Sequence, residues 1–170
     1  NQQKIQIAQS FLNEPDILIL DEPFSGLDPV NAQVFKDTIA RFVSEGKLVI
    51  FSSHQMNYVE EICDDVTLIH QGNILLTGDL EQIKRELGQN KLQLRIEGMD
   101  DEALADALRA AFPDIITLPH EDGLILDTQS RVTQQQVLDH VNRQGWTIHH
   151  YGLYTPSLND IFIAKVGEQA

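Results

Sequence analysis

Ile17-Leu18-Ile19-Leu20-Asp21-Glu22-Pro23 is the stretch on which the fold turns. Four consecutive apolar residues, two of them β-branched, predict a strand buried on both faces of a parallel sheet. The run stops abruptly at Asp21-Glu22-Pro23. Ser25-Gly26-Leu27-Asp28-Pro29 then reads as a turn, and helix is expected from about Val30 to Ser44, closing near Gly46. A second apolar strand, Leu48 to Ser53, ends at His54, and another helix is expected over Met56 to Cys63. Two short strands follow, Val66 to His70 and Asn73 to Thr77, joined by a Gln71-Gly72 turn. Upstream, Ile5, Ala8 and Leu12 share one face of a helical pattern from Asn1 that Asn13 and Pro15 stop.

The strand–helix–strand order implies parallel strands with helical crossovers, an α/β layered domain. In open α/β sheets ligands bind outside the carboxyl ends of the strands. Both apolar strands end there in chemically capable residues: Asp21 and Glu22 on one, Ser52, Ser53 and His54 on the other. Adjacent carboxylates at the end of an apolar strand are costly to desolvate unless a cation or hydrogen bonds compensate. Neighbouring side chains there point in different directions, so the pair can serve two roles. One can hold a magnesium ion through its water shell. The other can orient and deprotonate a water attacking a γ-phosphate, with a histidine of the neighbouring strand beside it. The bland alternative is a strand ending in solvated acids.

The carboxylates do not stand alone. Leu18-Ile19-Leu20-Asp21-Glu22-Pro23, then Ser25-Gly26-Leu27-Asp28, then His54 after a strand, together resemble ABC-family ATPase domains. The resemblance implies that Asp21 is the Walker B aspartate, holding Mg2+, and Glu22 the catalytic glutamate. It implies that Ser25 to Asp28 form the D-loop, with Ser25 and Asp28 linking two ATP sites across a dimer, and that His54 is the switch histidine sensing the γ-phosphate. Asn1-Gln2-Gln3-Lys4 looks like the tail of the family's signature sequence, with Asn1 at its last position. Asp65 to Gly78 resembles the strands that close the catalytic domain. The resemblance covers about Asn1 to Leu87. No G-x-x-x-x-G-K-[ST] phosphate cradle occurs in these residues. The expectation is therefore the back part of a partial P-loop NTPase (ABC ATPase) mixed sheet, inactive by itself.

Leu80 to Leu87 is expected as helix and Gly88-Gln89-Asn90 as a linker. Beyond it the rhythm changes. Lys91 to Ile96 alternates polar and apolar, a strand with one wet face. Asp101 to Phe112 is expected as helix, with Leu104, Leu108, Ala111 and Phe112 inward and Pro113 as its stop. Ile115 to Leu118 and Leu124 to Leu126 read as strands around His120-Glu121-Asp122-Gly123. Thr133 and Gln136 form a capping box opening a helix to Arg143, with Gly145 as its stop. Trp146 to His150 is expected as a strand, and Pro156 to Val166 as a last helix with Leu158, Ile161, Phe162 and Val166 apolar. This βαββαβ order predicts a small α+β ferredoxin-like domain over 91–166, following an ATPase part over 1–88. Adjacent His149 and His150 face opposite ways on a strand, which argues against a metal pair. The closing Pro156-Ser157-Leu158-Asn159-Asp160-Ile161-Phe162 resembles the end of bacterial ABC exporter ATPases that carry such a domain.

Composition agrees with a globular chain: of 170 residues 42% are hydrophobic and 22% charged. A net charge of −14 argues against nucleic acid or an anionic leaflet as the main ligand. No apolar run approaches the ~20 residues of a membrane span. The single Cys63 excludes an internal disulfide and reads as a small buried side chain. The resemblance thus implies an ATP-hydrolysing ABC transporter subunit using ATP and Mg2+. Its partners would be a second ATPase subunit and a transmembrane permease at the cytoplasmic face of the cell membrane. The alternatives are a soluble ABC-type ATPase not involved in transport, and a non-enzymatic dimerisation or regulatory module.

Overall fold

The computed structural model describes residues 15–167 together with Gln9, so the expected helix from Asn1 to Asn13, Gln9 apart, and Asn1 itself lie outside the described residues. The chain divides into two compact units, residues 1–80 with 157–170, and residues 81–156.

In the first unit, β1 (Ile17–Asp21) and β2 (Leu48–Ser52) pair in parallel, with Ile19 opposite Ile50 and Asp21 opposite Ser52. The helix α1 (Pro29–Ser44) makes the crossover between them. Asp28 caps it, its carboxylate accepting from the Asn31 N–H at 3.1 Å, and Pro29 occupies the first turn, where its missing N–H costs nothing. Ala32, Phe35, Ile39 and Phe42, spaced three or four apart, are its buried residues. Phe24 joins Ala32, Phe35 and Ile39 in a core against which Leu20, Leu27, Val49, Phe51, Tyr58 and Ile62 pack.

The expectation of a strand covered on both faces is not met among the described residues. Leu18 is buried, but Ile19 is 74% exposed, and Ile17, Leu48 and Ile50 are exposed as well. The physical reason is that successive strand residues face opposite ways, so a single covering helix hides every second one. After the short helix α2 (Met56–Ile62) comes an antiparallel hairpin, β3 (Asp65–His70) and β4 (Asn73–Asp79), with a register shift between Leu68 and Ile69. Its turn is Gln71-Gly72, both at positive φ, as a tight hairpin requires. Helix α3 (Leu80–Gly88) carries the chain into the second unit.

That unit is a four-stranded antiparallel sheet of β5 (Lys91–Ile96), β6 (Ile116–His120), β7 (Gly123–Asp127) and β8 (Ile148–Leu153). The spatial order is β6-β7-β5-β8. With helices α4 (Asp101–Ala111) and α5 (Gln134–Gln144) as crossovers, this is the ferredoxin-like βαββαβ arrangement. Leu92, Leu94 and Ile96 of β5 meet Leu124 and Leu126 of β7, Leu104 and Leu108 of α4, and Val137 and Val141 of α5 in one core. Two local expectations shift. Ala105, not Ala111, is the small residue buried on α4, since it lies beside Leu104 and Leu108 on the inward face while Ala111 is exposed at the last turn. The final strand is β8 at Ile148–Leu153, because its ladder partners run from Ile96 back to Leu92, and Trp146 precedes it, half-buried against the core.

The last helix, α6 (Leu158–Gly167), belongs to the first unit. By compactness it groups with residues 1–80, whereas residues 81–156 form the second unit. Leu158 and Ile161 of α6 are fully buried, and its amino end is bonded to α2.

Candidate active site at the strand ends

Parallel pairing places the carboxyl ends of β1 and β2 side by side, which is what joins Asp21 and Glu22 to Ser52 and His54. Glu22 is the residue at which the chain leaves the strand. Its φ of 46° lies in the left-handed region, uncommon for a residue with a side chain. The turn is held from both sides: the Glu22 N–H donates to the Ser52 carbonyl at 3.1 Å and lies 3.3 Å from the Ser52 Oγ. The Ser25 N–H in turn donates to the Glu22 carbonyl at 3.1 Å. Strained backbone of this kind persists where surrounding bonds over-determine it, as at sites that hold a side chain in a set direction.

Here the direction is toward His54. Glu22 Oε1 accepts from the His54 backbone N–H at 3.0 Å and lies 2.8 Å from its ring Nδ1. One carboxylate oxygen thus meets both the backbone and the ring of His54. The imidazole is 73% exposed and the glutamate side chain about half that. The pair is thus exposed on its histidine side, while the glutamate is partly buried. Asp21 is exposed and accepts from the Ser52 hydroxyl. One exposed carboxylate beside one hydroxyl is a hard-oxygen donor set that suits a magnesium ion keeping most of its waters. Among the described residues no group of three or more His, Cys, Asp or Glu forms a cage for a bare ion.

Of the other expected site residues, Asn1 lies outside the described residues, and Ser25 and Asp28 follow in the turn beyond Glu22. Asp28 spends its carboxylate on α1, accepting from both the backbone and the side chain of Asn31. Ser25 is half-buried in the turn between Glu22 and Asp28. Sequence reading named Ser52 only as a polar strand end, whereas the register makes it the residue touching both Asp21 and Glu22. It overlooked Tyr58 altogether. Tyr58 stacks on Phe24, ring centroids 4.4 Å apart at 17°, and ties the helix after His54 to the turn after Glu22. An aromatic four residues beyond a strand-end histidine was the available signal.

Away from this site, Cys63 ends α2 half-buried. Burial and the neighbouring Asp64 charge push its thiol up to about 11. Little of it is thiolate at neutral pH. Tyr151, whose hydroxyl donates to the Gln134 carbonyl, has its phenol raised by burial.

Residues 78–166, just over half of the chain, match the family described as ATP-binding protein DrrA1-3-like, C-terminal domain. An ABC transporter ATP-binding protein of Bacillus subtilis is 37% identical over 167 residues, 98% of this chain and 54% of its own. Another, from Alkalihalophilus pseudofirmus, is 36% identical over 174 residues, 98% of this chain and 60% of its own. The daunorubicin/doxorubicin resistance ATP-binding protein of Streptomyces peucetius is 27% identical over 169 residues, covering 98% and 51%. The chain therefore spans a little over half the length of the curated relatives it matches. The βαββαβ unit and these likenesses agree: the chain belongs to the family of ABC transporter ATP-binding proteins that carry a DrrA1-3-like C-terminal domain.

Proposed function

We propose that this chain supplies the Walker B, D-loop and switch-histidine part of an ATP-hydrolysing ABC transporter subunit, together with its small α+β domain. The observation that carries this reading is the Glu22 carboxylate at the end of β1, gripped by both the backbone N–H and the ring of His54. A general base needs an oxygen within hydrogen-bond reach of a water and a fixed orientation. Glu22 has one oxygen held by His54, which fixes the plane of the carboxylate from which a water is oriented and deprotonated. The exposed edge of the His54 ring is the group that meets the γ-phosphate. Asp21, steadied by Ser52, is the carboxylate on the magnesium side. Magnesium bound with ATP neutralises charge that develops on the phosphates.

Asn1, Ser25 and Asp28 are assigned to the nucleotide side of a two-subunit assembly, Asp28 sharing that duty with its cap on α1. We assign the partners as a second ATPase subunit and a membrane permease, with the subunit peripheral at the cytoplasmic face and no nucleic acid. In support, no helix among the described residues is long and apolar enough to cross a membrane. The export direction is favoured by the resistance protein of Streptomyces peucetius, named for two drugs.

The test is Glu22→Gln in the full-length subunit. The amide keeps the size and still hydrogen-bonds but cannot accept a proton. Hydrolysis is expected to fall about 10²–10⁴-fold while ATP binding is retained. Near-normal turnover would remove Glu22 from the role of base.

A further inference from the structure

Helix α2 begins two residues after His54, and it is poorly equipped to hold itself. It has seven residues, none fully buried, and Gln55 at its amino end makes no side-chain cap. Two turns of helix are marginal in isolation, so its position must come from what it touches. Toward the core it shares with α1, Tyr58 and Ile62 both pack. Tyr58 stacks on Phe24, and Glu61 pairs with Lys36, whose ammonium also lies 5.8 Å from the Tyr58 ring centroid. On the other flank is α6, nearly a hundred residues further along the chain. Glu60 Oε2 accepts from the Leu158 backbone N–H at 3.1 Å.

This contact joins a negative carboxylate to the amino end of a helix, where the exposed N–H groups and the helix dipole favour an anion. The end it grips is itself well defined. Ser157 and Asp160 bond reciprocally: the Ser157 N–H and hydroxyl donate to Asp160 Oδ2 at 2.9 and 2.6 Å, and the Asp160 N–H donates to Ser157 Oγ at 3.1 Å. Leu158 and Ile161 are buried, and Phe162 meets His70 edge-on, centroids 5.8 Å apart. The closing helix is thus a firm body, and the Glu60 bond passes that firmness to α2.

We infer that Glu60 is a positioning residue: by bonding the amino end of the closing helix it braces α2 and thereby holds His54 on Glu22. The inference rests on the functional reading above only for its effect on turnover. Its effect on His54 is independent of that reading.

Two measurements on the full-length subunit test it. In the nucleotide-free protein, imidazole ¹⁵N signals, assigned with His54→Ala, report the Nδ1 contact to Glu22. Glu60→Ala should move the His54 Nδ1 shift toward that of the exposed His149 and His150. Glu60→Gln, which can still accept from Leu158, should stay near the native value. In ATP hydrolysis, Glu60→Ala should lower kcat about tenfold with KM for ATP little changed, since small misplacements near a reacting group cost up to ~10²-fold. Combined with His54→Ala it should cause no further loss, as expected for residues acting in one chain of contacts. An unchanged His54 shift in a folded Glu60→Ala protein overturns the inference, as does a kcat loss that simply adds to that of His54→Ala. If Glu22→Gln turns over normally in the same assay, the assignment of Glu22 fails, and the histidine spectra still decide the brace.

Discussion

Phe24 sits two residues beyond Glu22, 1% exposed, with ring centroids 5.1 Å from Phe35, 5.8 Å from Phe51 and 4.4 Å from Tyr58. Truncating it to alanine removes a buried phenyl and leaves a cavity between α1, α2 and the β1–β2 pair. Phe→Ala at such sites costs about 3–5 kcal/mol. Three aromatic pairs at about 0.5–1.5 kcal/mol each could supply a comparable sum, so the two sources have to be separated. Phe24→Leu does this by keeping most of the volume and losing the ring. Leucine keeps most of the buried apolar volume, so its variant should cost only about 1–1.5 kcal/mol. Urea unfolding followed by far-UV circular dichroism is the assay. With a slope near ~2 kcal/mol/M, Phe24→Ala lowers the midpoint of the first unit by roughly 2 M. Val34→Ala, at an exposed position on α1, serves as the control and should change stability by less than about 0.5 kcal/mol. A Phe24→Ala cost under ~1 kcal/mol would refute its place in the core. A leucine variant as damaging as alanine would mean that ring geometry, not burial, holds the turn.

Three further outcomes are expected. At pH 8, iodoacetamide should label Cys63 about 100-fold more slowly in the folded chain than in urea. Raising a thiol from its ordinary 9.0 to about 11 cuts the thiolate fraction by that factor, and equal rates would contradict the half-buried position. Gly123→Ala should destabilise the second unit by more than ~1 kcal/mol, read by Trp146 fluorescence. Its φ of +120° is a glycine conformation, and an added Cβ would lie 2.8 Å from the Leu94 carbonyl oxygen. The 170-residue chain alone should show no sub-millimolar Mg-ATP binding by calorimetry, since its sequence holds no phosphate loop; tight binding with phosphate release would overturn the expectation.

Much of the candidate site was legible because its signals are local. An apolar run that stops at two carboxylates marks a strand end whatever surrounds it, and His54 ends a second such run. What was not legible is that Glu22 and His54 share a hydrogen bond. That depends on the parallel register setting Asp21 opposite Ser52, and register is a property of two strands rather than one. Asp28 shows the converse. A turn aspartate reads equally as a nucleotide-side residue or a helix cap, and its bonds to Asn31 show the second role to be present in any case.

The helix caps follow the same division. Thr133, Gln136 and Gly145 alone determine where α5 begins and ends, and the capping box and left-handed Gly145 stand where their residue types require. The βαββαβ order also comes from short-range alternation and stops, because each strand and helix is specified over a few residues. The fate of α6 does not. Leu158 and Ile161 establish only that one face is buried. They carry no information on whether it packs against the sheet just traversed or against α2, a hundred residues earlier. Only the folded chain decides that, because apolar burial is non-directional and the choice falls to whichever distant surface offers the matching groove and the partner for the Leu158 N–H, here Glu60.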